Sequence, residues 1–207
     1  MNENKRDRNI AIILAFVTSL LVFTTIIIIA LPLKNYSPLT GYISFLGSSA
    51  SRLRTVINSC FAIAGVCTII LSFILYKSLL ISENYKMGQA FLAISGFLLI
   101  LLGVFPTDPH GEGTVSGRLH QMVGNLVYIM IPIAAIFLGM GFKKQDEWKR
   151  FSNISFLLAS VTLIAATFVK FFSFYRGLLE RIGIAADLFW MALIAFALYE
   201  KYSKKML

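Results

Sequence analysis

Apolar residues in this chain gather into long unbroken runs separated by short polar stretches, with no sustained alternation of the kind a half-buried strand requires. Six runs stand out, at about 10–31, 53–76, 87–105, 117–142, 151–172 and 182–202. A bilayer core about 30 Å thick needs roughly 20 apolar residues per helical span, and each run has that order of length. The pattern predicts an all-α fold, a polytopic transmembrane six-helix bundle forming one integral membrane domain. Lys5, Arg6 and Arg8 precede the first run, which is too long for a signal-peptide core and ends without a small-residue cleavage pattern. It is expected to stay as a span. The stretch Tyr42 to Gly47 is apolar but too short to cross, so it should lie in the interface or against the bundle. Ala62, Gly65, Ser95 and Gly96 would let neighbouring helices approach closely, and Pro132 is expected to kink the fourth span.

Composition removes the soluble alternatives. Hydrophobic residues make up 57% of the 207 and charged residues 14%, and the mean hydropathy is +0.78. The net charge of +9 would suggest nucleic acid in a soluble protein. In a multi-pass chain it reads instead as topology, because Lys and Arg collect on the cytoplasmic side. With six spans, the N-terminus, the second and fourth links and the C-terminus share one face and hold 12 of the 19 basic residues. Both termini are therefore expected to be cytoplasmic, in a cell membrane, with membrane lipids as partners and nucleic acid excluded. Cys60 and Cys67 lie seven residues apart in one apolar run, so they share a helix stripe and do not bridge.

That topology puts three unusual segments together on the outer side: PLKNYSPLTGYISFLGSSASRLR, FPTDPHGEGTVSGRLHQ and FFSFYRGLLERIG. Loops more specialised than a connection requires are where function tends to sit. The second segment holds both histidines. His120 falls in the first turn of the fourth span, where a neutral imidazole can accept or donate a proton near pH 7, with Asp108 as its orienting partner. Ser44 or Ser37 would complete the residue types of a serine hydrolase. A metal ion is a further candidate, held by Asp108, His110 and His120 with Glu112; otherwise the cofactor is unknown. Arg52, Arg54, Arg118, Arg176 and Arg181 bring guanidinium groups to the same side, suited to an anionic headgroup or to pairing with Glu180. The glycines of HGEG lack the lysine and spacing of a phosphate-binding loop. Ser116 is the expected cap of the fourth span, and Lys170 and Asp187 are expected to pair between the fifth and sixth.

Three ordered motifs carry a resemblance. NYSPLTGYISFLG followed by Asn58, GVFPTD followed by Gly117-x-x-His120, and RGLLERIG followed by Trp190 together resemble the prokaryotic membrane family of unknown function numbered 998, over nearly the whole chain. The resemblance implies a six-span layout and points to Tyr36, Ser37, Ser44, Gly47, Pro106, Asp108, His120, Glu180 and Arg181 without giving them roles. The layout is more distantly similar to Frag-like proteins linked to lipid remodelling. The expectation is an outward-facing polar pocket that binds or acts on a lipid or other amphiphile. Catalytic roles fall to His120, Asp108 and Ser44, ligand contacts to Tyr36, Ser37, Arg118, Arg176, Glu180 and Arg181, and the chemistry, if enzymatic, is hydrolysis or group transfer. The rival is a non-catalytic small transporter or a membrane binding and assembly module.

Overall fold

The computed structural model describes residues 36–78, 82–109 and 113–203, with positions 6, 9–10, 12–15 and 17–18 of the N-terminal segment. Most of the first apolar run, and His110 and Glu112, lie outside the described residues. Five long helices follow one another: α1 (Arg54–Ser78), α2 (Glu83–Val104), α3 (Val115–Lys143), α4 (Lys149–Phe171) and α5 (Arg176–Ser203). A sixth helix is described at isolated positions before them. No strand occurs among the described residues, and all five long helices are long and apolar enough to cross a membrane. In a bilayer every backbone donor and acceptor must be satisfied within the segment, which these apolar runs achieve as helices.

Consecutive helices pack on one another from α1 through α5. At the α1–α2 crossing, Gly65 and Gly96 lie face to face: a Cβ on Gly96 would stand 2.7 Å from the Gly65 carbonyl oxygen. No side chain fits between these backbones, which is the reason for small residues there. The ends of the series meet as well, Thr68 of α1 touching the Met191 sulfur of α5 at 4.0 Å. The interior is filled by Tyr85, Leu92, Leu138, Phe142, Trp190 and Ile194. Some buried polar groups are tied to it: Ser72 Oγ donates to the Gln89 carbonyl at 2.8 Å, and Trp190 Nε1 donates to Ser155 Oγ at 3.1 Å. Outward faces carry Phe73, Phe97, Leu157 and Phe189, all exposed, as a lipid-facing surface requires. Pro132 is buried within α3, and both cysteines are free thiols.

Three expectations are corrected. RGLLERIG, read as the last outer loop, forms the first turns of α5, so Asp187 lies about three turns inside its helix. It accepts from Thr162 Oγ1 at 2.8 Å, and Lys170 is exposed and forms no ion pair with it. The cap of α3 is Thr114, whose hydroxyl accepts from Gly117 N at 3.1 Å; the hydroxyl of Ser116 donates instead to the Pro106 carbonyl at 2.8 Å.

Candidate functional site

The segment 36–47 lies on the head of α5. Its end forms a short 3-10 helix, Ile43–Gly47, with Ile43, Leu46 and Gly47 buried. Gly177 permits the contact, because a Cβ there would meet the carbonyls of Gly41 and Pro38. Leu178 N then donates to the Leu39 carbonyl at 3.0 Å. Arg181, one turn on, holds the same loop. Its Nη1 donates to the carbonyls of Pro38 at 2.8 Å, Gly41 at 3.1 Å and Gly177 at 2.8 Å, and its Nη2 to the Tyr36 hydroxyl at 2.6 Å. That hydroxyl has one proton of its own, shared between the Gly41 and Tyr42 carbonyls at 3.0 and 3.1 Å. Burial pushes the phenols of Tyr36 and Tyr42 above their ordinary value. Arg176 Nε donates to the Thr40 carbonyl at 3.0 Å, with its guanidinium 5.2 Å over the Tyr42 ring. Glu180 closes the set by accepting from Ile43 N at 2.6 Å and from the amide of Ser44. Its carboxylate thereby caps the short helix.

Four of these side chains, Tyr36, Arg176, Glu180 and Arg181, are among the expected ligand-binding residues, and here they bond the chain's own loop. Tyr36, Arg176, Glu180 and Arg181 are brought together as a latch between the first loop and α5. Ser37 contributes its carbonyl to the loop turn, accepting from Gly41 N at 2.7 Å, and its side chain is exposed.

The central stretch is organised differently. Asp108 Oδ2 accepts from Thr114 N and Oδ1 from Thr114 Oγ1, both at 2.7 Å. These bonds hold its carboxyl below the usual carboxylate range, with a smaller contribution from the charge on Arg118. Arg118 itself is exposed in the first turn of α3. His120 is buried, its Nδ1 2.6 Å from the Phe105 carbonyl and its ring edge-on to Phe61 at 6.4 Å. A carbonyl only accepts, so Nδ1 bears the proton in this arrangement. No hydrogen bond joins Asp108, His120 and Ser44: the first serves Thr114, the second Phe105, and the third meets Glu180 through its amide. No group of three or more metal-ligating side chains occurs among the described residues.

An open cleft of about 390 Å³ runs between the start of α1 and the end of α2. Arg54, Thr55, Asn58 and Ser59 form its polar wall, and Val104 and Pro106 face them. The four polar residues follow helical spacing, which puts them on one face of α1. Asn58 Nδ2 donates to the Gly47 carbonyl at 3.0 Å, joining this wall to the short loop helix, and its Oδ1 is buried without a partner. Sequence reasoning assigned Arg54 only a general role and passed over Thr55 and Ser59. The available signal was a polar face at the start of an otherwise apolar helix.

Apolar spanning helices, lipid-facing aromatics and loops folded onto helix ends define a multi-pass, all-helical integral membrane protein. The family described as Protein of unknown function (DUF998) matches residues 16–197, and the chain belongs to it. No curated protein and no solved structure matches it.

Proposed function

We propose that the protein binds an anionic amphiphile at the outer face of the cell membrane, with the headgroup in the cleft at the start of α1 and the chain along the neighbouring lipid-facing surface. The observation that carries this reading is the cleft's composition. A cationic side chain, Arg54, stands along one wall with two hydroxyl residues and the Asn58 amide, whose oxygen is buried. Exposed Val56, Ile63, Val66 and Val104 lie on the same two helices. Guanidinium groups favour phosphate and carboxylate oxygens, and pockets of roughly 300–1,000 Å³ suit small ligands. The distribution of basic residues supports placing this end outside. Binding is favoured over hydrolysis or group transfer because Ser44, His120 and Asp108 are engaged with separate partners.

The test is native mass spectrometry of the full chain, released from vesicles containing an anionic and a zwitterionic phospholipid. The wild type is expected to retain the anionic lipid preferentially. Arg54→Gln should lower that retention about tenfold, the worth of one charge-assisted contact, while the fold is unchanged. Equal retention of both lipids, or an Arg54→Gln protein that binds as well as wild type, refutes the proposal.

A further inference from the structure

Deeper in the bundle, Asp187 is only 8% exposed on α5, on a helix long and apolar enough to span. Among the described residues, the one hydrogen bond to its carboxylate comes from Thr162 Oγ1 of α4, at 2.8 Å. Neither ion pair between described side chains involves it. Among the described residues, the groups around it come from α5 itself, α3, α4 and the first loop. Glu180 and Arg181 stand on its own helix, engaged with the first loop. Tyr128 of α3 lies within electrostatic reach of both Glu180 and Asp187, and Tyr42 of the first loop within reach of Tyr128. From α4 the facing group is the Thr162 hydroxyl, Lys170 being exposed. An ionised carboxylate without a counter-charge is costly in the interior of a membrane protein, and such residues mark ion and proton pathways.

The Thr162 hydroxyl has two acceptors and one proton. It lies 2.8 Å from Asp187 Oδ1 and 3.3 Å from the Gly183 carbonyl. With Asp187 ionised, Thr162 donates to it. With Asp187 neutralised, the hydroxyl proton turns to Gly183 and the freed oxygen lone pair accepts a hydrogen bond from the carboxyl O–H or coordinates a cation. Both states of the carboxylate therefore keep a satisfied partner.

We infer that Asp187 and Thr162 form an intramembrane site that takes up one positive charge, as a proton or a small monovalent cation. This is independent of the amphiphile cleft, which shares none of these residues.

The experiment is labelling of the full-length protein in detergent with a hydrophobic carbodiimide, which reacts with protonated carboxyl groups in apolar surroundings. Adducts are mapped by peptide mass spectrometry between about pH 5 and pH 9, the range that brackets neutrality, with and without sodium or potassium. An adduct on Asp187 that declines as pH rises and is lost in Asp187→Asn supports proton uptake. An adduct that sodium or potassium suppresses at constant pH supports a cation at the same carboxylate. Asp187→Glu keeps the carboxyl and should keep the adduct, which secures the result if the asparagine variant fails to fold. A folded wild type with no adduct on Asp187 at any pH and without added cation overturns the inference.

Discussion

Replacing Arg181 with alanine removes the centre of the latch between the first loop and α5. The wild-type guanidinium serves three main-chain carbonyls and the Tyr36 hydroxyl. A hydrogen bond to a charged group contributes about 1.5–3 kcal/mol, and Arg181 is half-buried, so solvent competition holds each bond near the lower figure. Nη1 has two protons for three acceptors, one of them Gly177 on α5 itself, which leaves about two effective bonds to the loop and an expected loss of about 3–4 kcal/mol from its local closing. At 1.4 kcal/mol per factor of ten, the opening equilibrium of residues 36–47 should rise by roughly two to three orders of magnitude. Hydrogen exchange read by mass spectrometry on that peptide measures it directly, through the amides of Gly41 and Ile43. Peptides from α2 and α3 serve as the internal reference and should not change. Arg181→Lys should recover a minority of the protection, because an ammonium cannot span the loop carbonyls and the phenol together. If the alanine variant is folded and the loop remains as protected as in wild type, the latch does not hold the loop and the reasoning fails.

Three further outcomes follow from the packing and the caps. Gly177→Ala puts a methyl group against the carbonyls of Gly41 and Pro38; it should cost about 1–3 kcal/mol and deprotect the same loop peptide, whereas Gly124→Ala, whose nearest neighbour would be 3.8 Å away, should leave exchange unchanged. Gly96→Leu drives a side chain into the α1 backbone and should lower the thermal unfolding midpoint, by more than the same change at an exposed position of α2. Asp108 has a depressed carboxyl in the folded protein, so its contribution is present above the unfolded value of about 3.9 and is lost as pH falls through the folded value. The first turn of α3 should therefore exchange faster in strongly acidic buffer and be steady at neutral pH. Asp108→Asn should abolish that acid dependence, as read at the Gly117 and Arg118 amides.

The membrane class and the helical fold were legible because hydropathy reports directly on burial in lipid, and the apolar runs leave the backbone no alternative to helix. The use of the polar outer residues was not legible. Arg181 and Arg176 have the chemistry for phosphate, yet a guanidinium fork binds main-chain carbonyls by the same geometry. Their partners lie more than 130 residues away in sequence, beyond the reach of local pattern. RGLLERIG was read as loop because its charges and glycines break the apolar run, although charged residues are acceptable in the first turns of a helix that emerges from the bilayer. The pairing of Lys170 with Asp187 failed for the same reason. Starting α5 at Arg176 changes the depth of Asp187 relative to α4 and puts Thr162, not Lys170, opposite it.

The short loop helix is held from two directions, and this connects the latch to the cleft. Glu180 of α5 caps its first turn at Ile43, while Asn58 of α1 holds its last carbonyl at Gly47. Asn58 also lines the cleft beside Arg54, so one wall of the cleft is fixed to a segment that α5 holds. If the cleft binds an amphiphile as proposed, a guanidinium outside it can therefore change how that amphiphile is held. Loss of amphiphile retention in Arg181→Ala would not make Arg181 a headgroup contact, because the same loss follows when the loop helix shifts and Asn58 is released. The two roles separate through exchange measurements. A contact residue such as Arg54 should alter retention with the loop still protected, whereas a latch residue should alter both together.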